Sequence, residues 1–450
     1  MQCGFAMLCA GSVRQKNVKN IMLKNILDAV GGALGFFCIG FALAYGEGGT
    51  FVGASTNRYL LLDFDNYSDF FFQFTFAATA ATIVAGTVAE RCKMVAYLCY
   101  SIMLTAFVYP VVVHAIWNGN GFLSAFNGNA FRDVGMIDFA GSGVVHLTGG
   151  TTALVAAITL GPRIGRFHNI HGTLLAEPVT FPPHSVALQV LGTFILWFGW
   201  YGFNPGSTLA ISPIGYANIA ALAAVTTTIS AASGCASALT VDTFINYRRT
   251  GEVEYDLTFA MNGCLSGLVG ITAGCSVVAP WAAIPIGVVS GCVYVGASSL
   301  LVRLRIDDAV DAIPVHLFNG LWGCIATGLL AEPNRVTAVY GSSTHAGWFY
   351  SLNNGSSDAN LLLCEVAGIF FIMGWTAGVM YPFFTILSCF NLLRVDPEEE
   401  KKGLDISHHK GSAYNMQDEH MTDDDDICAP QSPDASPLNS PFKVLSIPHS

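Results

Sequence analysis

The sequence predicts an all-α polytopic membrane protein. Three observations carry the prediction: an apolar bias, a regular series of long apolar runs, and basic residues that keep to one side of them. Hydrophobic residues make up 52% of the 450 and charged ones 11%, whereas a soluble domain carries about 25% charged residues. The 47 glycines suit helices that pack backbone to backbone in lipid. The 13 cysteines are scattered through apolar runs without C-x-x-C spacing, and read as small buried side chains.

A membrane-crossing helix needs about 20 mostly apolar residues. Ten runs qualify, at 22–46, 70–90, 94–117, 139–161, 185–203, 214–242, 257–279, 281–302, 312–331 and 361–391. Before them lies Met1–Val13, apolar but able to cover only about 20 Å as a helix. It has no basic segment in front of it, and basic residues follow it, so it reads as the inner half of a shortened first helix rather than a signal peptide.

Numbering the runs alternately inside and outside leaves all but three of the 20 Lys and Arg on one side; the exceptions are Arg58, Arg132 and Arg335. The positive-inside rule makes the basic side cytoplasmic. The C-terminus then lies inside, and the Asn66-Tyr-Ser and Asn354-Gly-Ser sequons lie outside as glycosylation candidates. Residues 1–392 form the transmembrane domain and 393–450 a cytoplasmic tail. After Val395 that tail holds 12 acidic residues against 4 lysines, most of the net charge of −11. Nothing in this distribution suggests nucleic acid, and no cofactor is expected.

Two of the runs share a pattern. Asp138-Phe-Ala-Gly-Ser-Gly-Val-Val-His146 and Asp308-Ala-Val-Asp-Ala-Ile-Pro-Val-His316 each place a His eight residues after an Asp, and each continues with Leu-x-x-Gly. The copies lie five places apart in the series of spans, so they run in opposite directions, the mark of an inverted repeat with its site near the midplane. Eight helical residues rise about 12 Å, which brings both histidines to similar depth from opposite faces. A histidine inside the membrane marks a functional site by default, and a pair can hold or relay a proton. A metal centre of His146, His316 and Asp138 is disfavoured, because Asp138 would lie about 12 Å along the helix from His146; no metal is expected.

At these residues the chain resembles the ammonium transporter family (Amt/Mep/Rh), in its plant-type branch. The resemblance rests on the Asp138–His146 stretch, on Gly161-Pro-Arg-Ile-Gly-Arg-Phe167, on Trp197-Phe-Gly-Trp-Tyr-Gly-Phe-Asn-Pro-Gly-Ser207, on Ile271-Thr-Ala-Gly-Cys-Ser-Val-Val278, and on Gly403-Leu-Asp-Ile-Ser-His-His409 with Ala413-Tyr414. It implies an ammonium-transporter fold, an eleven-helix inverted (5+5) repeat plus a last helix, assembled as a homotrimer in the plasma membrane. Trp117 and Ser207 then match an outer site that holds NH4+, with Asp138 behind it. Phe76 and Phe203 match a stacked gate, and His146 and His316 a twin-histidine pore. The resemblance implies transport of ammonium or ammonia with net charge movement, and no enzymatic activity. A sensor signalling through the tail is the alternative. Ser407 matches a phosphorylated position of the plant-type tail, a kinase target expected to change how the tail docks on basic loops bearing Arg163, Arg166, Arg248, Arg249, Arg303 and Arg305. Lys410 stands where the family usually has Gly.

Overall fold

The computed structural model describes residues 1–414, apart from Ile170. Three Ser-Pro pairs of the tail, at Ser432, Ser436 and Ser440, which the sequence offers as further phosphorylation targets, lie outside the described residues. Eleven helices form the body. They are α1 (Gln2–Ser12), α2 (Gln15–Tyr45), α3 (Tyr67–Thr87), α4 (Met94–Trp117), α5 (Ser142–Leu160), α6 (Val186–Thr208), α7 (Tyr216–Thr250), α8 (Leu257–Thr272), α9 (Pro280–Arg303), α10 (Ile313–Leu330) and α11 (Asn360–Cys389). Among the described residues nine of these are long and apolar enough to cross a membrane; α8, at 16 residues, and α1, at 11, are shorter. Large apolar side chains such as Phe198, Phe370 and Trp281 point outward, as lipid-facing helices require. Of the cysteines, Cys9, Cys264, Cys275 and Cys324 are buried as expected, but Cys3, Cys99, Cys292 and Cys389 are exposed on the outward surface.

The run at 257–279 overshoots its helix. It stops at Thr272 because the carbonyls of Thr272 and Ala273 accept hydrogen bonds from Ala140 and Phe139, at 3.2 and 3.0 Å. The Ser142 hydroxyl completes the junction, donating to Val269 O and accepting from Ala273 N, both at 2.7 Å. The end of α8 is thereby fixed to the start of α5.

The two histidine helices are built alike. Each opens on a wide π-type turn, Ser142–Leu147 in α5 and Ile313–Phe318 in α10, a geometry frequent at functional sites. Each start is capped by its Asp. Asp138 accepts from the N–H groups of Gly141, Gly143 and Val144 at 2.8–3.0 Å, and Asp308 from Val310 and Ile313 at 3.3 and 2.6 Å. The expectation of eight helical residues between Asp138 and His146 needs correction: the chain turns at Gly141, whose φ of +104° suits glycine, and is helical only from Ser142. Where α5 and α10 cross, their backbones touch. A Cβ on Gly150 would lie 2.4 Å from Leu317 N, and one on Gly320 would lie 2.6 Å from Ser142 O. These are the two glycines of the repeated Leu-x-x-Gly.

At one end of the bundle the loops are tied by buried charges. Glu90 pairs with Arg14 and, at 3.3 Å, with Arg163; Asp307 pairs with Arg163 at 2.8 Å and Arg166 at 3.6 Å. Burial alone would raise the Glu90 carboxyl, but Arg163 and Arg14 outweigh it and hold it below the usual range. After α11 two short helices, α12 (Pro397–Lys402) and α13 (Leu404–His409), lie against this end. Glu400 accepts from Ile164 N at 2.7 Å and from Arg394 at 2.9 Å.

Docking of α13 departs from the expectation. Asp405, fully buried, accepts from the N–H groups of Lys19 and Asn20 at 3.0 and 2.9 Å, near the start of α2. Leu404 N donates to Asn17 Oδ1 at 2.9 Å. The main receptor is therefore the first turns of α2; the Arg163 loop is reached through Ile164 N and through Arg394, which donates to the carbonyls of Leu160 and Pro162 at 2.8 Å. Arg163 and Arg166 are already committed to Asp307, whereas the first N–H groups of a helix are open to a carboxylate. The Lys410 departure also has a physical meaning: this residue sits at φ +58° after α13, in the left-handed region that favours glycine.

Candidate functional site

One face of α3 builds a cavity. Asp69, Phe72, Gln73 and Phe76 follow the i, i+3, i+4, i+7 spacing that aligns side chains on a helix. All four line a space of about 280 Å³ with Tyr45, Trp117 and Ser207 among its other walls. Tyr45 donates to Gln73 Oε1 at 2.6 Å, which fixes that amide.

Trp117, the last residue of α4, donates its indole N–H to the Asp138 carbonyl at 2.6 Å. Its ring meets Phe76 edge-on at 5.5 Å. Ser207 is placed by the end of α6. Pro205 lacks an N–H, so the helix tightens into a 3₁₀ turn over Pro205–Thr208. The Ser207 hydroxyl donates to Phe203 O at 2.8 Å, leaving its lone pairs free to accept from a donor in the cavity. An aromatic face, a hydroxyl acceptor and a nearby carboxylate suit a small cation that carries N–H groups; cation–π attraction contributes roughly 0.5–2 kcal/mol.

Phe76 and Phe203 close the cavity floor. Their rings stack with centroids 4.1 Å apart, and both are nearly fully buried. Beyond them stand the histidines. His146 lies 5.6 Å from Phe203 and 5.1 Å from His316, with the two imidazoles almost parallel at 11°. Trp200 stacks against His146 at 5.2 Å, held by its N–H to Thr272 Oγ1 at 3.0 Å. Phe5 of α1 approaches His316 at 6.1 Å. Both ring nitrogens of His146 and Nδ1 of His316 are buried without a partner among the described residues.

The line continues past Phe5 and Leu8 to a second cavity of about 290 Å³, whose walls include Ser12, Asn262, Tyr294, Asp308 and Asp311. There Asp311 accepts from Tyr294 and Ser298 at 2.9 and 3.0 Å.

Phe76, Phe203, Trp117, Ser207, His146 and His316 thus fall on one line between two cavities. Asp138 stands behind that line: its carboxylate is taken up by three N–H groups, and only its carbonyl reaches Trp117. Trp200, Phe5 and Asp69 were not singled out in the sequence. Trp200 lies within the quoted Trp197–Ser207 stretch, and Asp69 lies seven residues before Phe76 on the same helix face, a spacing that would have found it. Phe5 carries no such signal. Asn66 caps α3, accepting from Asp69 N at 3.3 Å, and Asn354 is exposed in the α10–α11 connection. Ser407 is half-buried and donates to Gly403 O at 2.9 Å. Among the described residues no three His, Cys, Asp or Glu side chains converge as metal ligands.

The family model for the Ammonium Transporter Family matches residues 1–414. Ammonium transporter 1 member 1 of Oryza sativa subsp. japonica is 44% identical, over 93% of this chain and 83% of its own length. Ammonium transporter 1 member 2 of Arabidopsis thaliana is 42% identical, over 92% and 80%. Among solved structures, a chain described as a sensor Amt protein superposes with a TM-score of 0.76 at 33% identity, covering 91% of this chain and 94% of that one. Mep2 of Saccharomyces cerevisiae gives 0.74 at 26% identity, covering 88% and 86%. The chain therefore belongs to the ammonium transporter family, and is a multi-pass membrane protein that carries ammonium across a membrane rather than an enzyme.

Proposed function

We propose that this chain takes up ammonium through a twin-histidine pore with net charge movement. NH4+ is held against Trp117 and Ser207, with Asp138 lending negative charge from behind. It enters between Phe76 and Phe203, where two stacked rings exclude water, and gives up its proton at or near that gate. Ammonia passes His146 and His316, and the proton follows through the imidazole pair. The observation that carries this reading is the pair of near-parallel imidazoles, 5.1 Å apart, three of whose ring nitrogens are buried without a partner among the described residues, on the line between two cavities. Such nitrogens cost free energy unless something hydrogen-bonds them, and a proton or an ammonia molecule fits that need.

The proposal extends to a homotrimer in the plasma membrane, with glycans on Asn66 or Asn354 and the tail in the cytoplasm. The one-sided basic residues support the orientation. It also includes regulation by a kinase at Ser407, since α13 bears directly on the start of α2.

The test is ammonium-dependent growth and inward current in a host lacking its own ammonium uptake. We expect both, and expect His316→Leu to lower the current without lowering surface expression. Growth without current would remove the charge-movement claim. Signalling through the tail in a chain that carries no ammonium would favour the sensor.

A further inference from the structure

The cavity above the phenylalanine gate opens into a second, wider space of about 650 Å³, lined by Asn66, Ser68, Asp69, Phe72 and the 205–211 segment. Three residues border both spaces: Asp69, Phe72 and Leu209. Asp69 is thus the carboxylate at the junction, and among the described residues no other acidic side chain lines either cavity. Its side chain is only lightly held: Gln73 Nε2 donates to it at 3.4 Å. The basic residue that acts on it, Arg58, is stacked 4.2 Å over the Phe64 ring. Phe72, one turn further along α3, meets Phe76 at 4.8 Å and so continues an aromatic path from the junction to the gate.

The ordinary role of an acidic residue here is to offset the positive end of α3, where Asp69 lies in the first turn. That role requires no cavity. Aspartate at this point of α3 also puts its charge where an arriving cation must pass, and a cleft with low-dielectric walls focuses such a field.

We propose that Asp69 forms, with the Phe72 ring, an antechamber site that collects small alkylammonium-type monovalent cations before the Trp117–Ser207 site. The inference rests on the ammonium-transport reading of the pore, and adds a residue that sets apparent affinity. Asp69 exchanges part of the cation's water for carboxylate contact, then releases it along Phe72 to the Trp117 cavity. It acts on capture, so it shapes KM and leaves maximal flux alone.

The test measures methylammonium uptake at equal surface expression for the wild type, Asp69→Asn, Asp69→Glu and Trp117→Leu, at low and at physiological ionic strength. We expect Asp69→Asn to raise KM roughly 3- to 10-fold with maximal flux within twofold. Wild-type KM should rise with ionic strength and the Asn variant's should not, because only a charge is screened; Asp69→Glu should behave as wild type. An unchanged KM in Asp69→Asn, or an unaltered salt dependence, overturns the proposal and leaves Asp69 as a helix-end residue. Should Asp69→Asn stay inside the cell, a wild-type KM independent of ionic strength overturns it equally. Loss of uptake in Trp117→Leu beside a normal Asp69→Asn separates failure of the antechamber from failure of the pore reading. A wild type that carries no methylammonium or ammonium removes both.

Discussion

Asp138 shows how one residue ties two elements together. Its carboxylate accepts three N–H groups at the start of α5 and its carbonyl orients Trp117. Asp138→Ala leaves those donors buried and unsatisfied, at about 1–3 kcal/mol each. We expect it to abolish uptake, and to lower the detergent-solubilised melting temperature as well; normal transport by this variant would refute the positioning role. Lys410 is the opposite case, a residue in a conformation its type disfavours by about 1–2 kcal/mol. Lys410→Gly should release most of that strain and hold α13 more firmly, seen as slower proteolysis after Lys401 and Lys402. Legibility at this scale followed polarity contrast. Histidine and aspartate stand out in an apolar run, so the twin pattern was readable. Trp200 and Phe5 are aromatic residues among aromatic and aliphatic neighbours, and only the folded chain brings them to the imidazoles.

At the scale of elements, the crossing of α5 and α10 and the charged end of the bundle carry most of the consequences. Gly150→Leu or Gly320→Leu forces a side chain into a backbone contact under 3 Å. We expect either to prevent accumulation of folded protein, whereas Gly296→Ala, which meets open space, should be neutral. The Glu90 network sets an acid limit. A carboxyl held low in the folded state contributes stability that is complete above its unfolded value, about 4.3, and is lost as pH falls through the lower folded one. The melting temperature should therefore be insensitive to this network from pH 7 to 5 and fall in stronger acid. Glu90→Gln should cost about 1–3 kcal/mol at pH 7, because it takes the charged partner from Arg14 and the weaker of two from Arg163, which Asp307 still holds. Spans were legible because burial in lipid demands length and apolarity. The end of α8 was not, since its carbonyls are claimed by residues 139 and 140, far away in the chain. The dock of α13 was hidden for a similar reason: backbone N–H groups leave no mark in a sequence.

At the scale of the molecule, the tail and the pore share an element. α13 binds the start of α2 through Asp405, and the body of α2 packs on α1 and α3, which carry Phe5 and Phe76. A phosphate on Ser407 adds about −1.5 to −2 charge two residues from Asp405, where repulsion favours release. We expect Ser407→Asp to suppress ammonium uptake and Ser407→Ala to preserve it at equal surface expression; in the proposed trimer, co-expression with unmodified subunits should show suppression beyond the mutant fraction. Equal transport by both variants would sink the switch and leave the pore intact. The contact of Gly150 and Gly320 with the opposing backbone reaches further. Two halves whose main chains touch at these two points have no low-energy way to rock past one another. Substrate then moves through a waist that stays still. Ammonium loaded on the far side should then not accelerate entry from the near side.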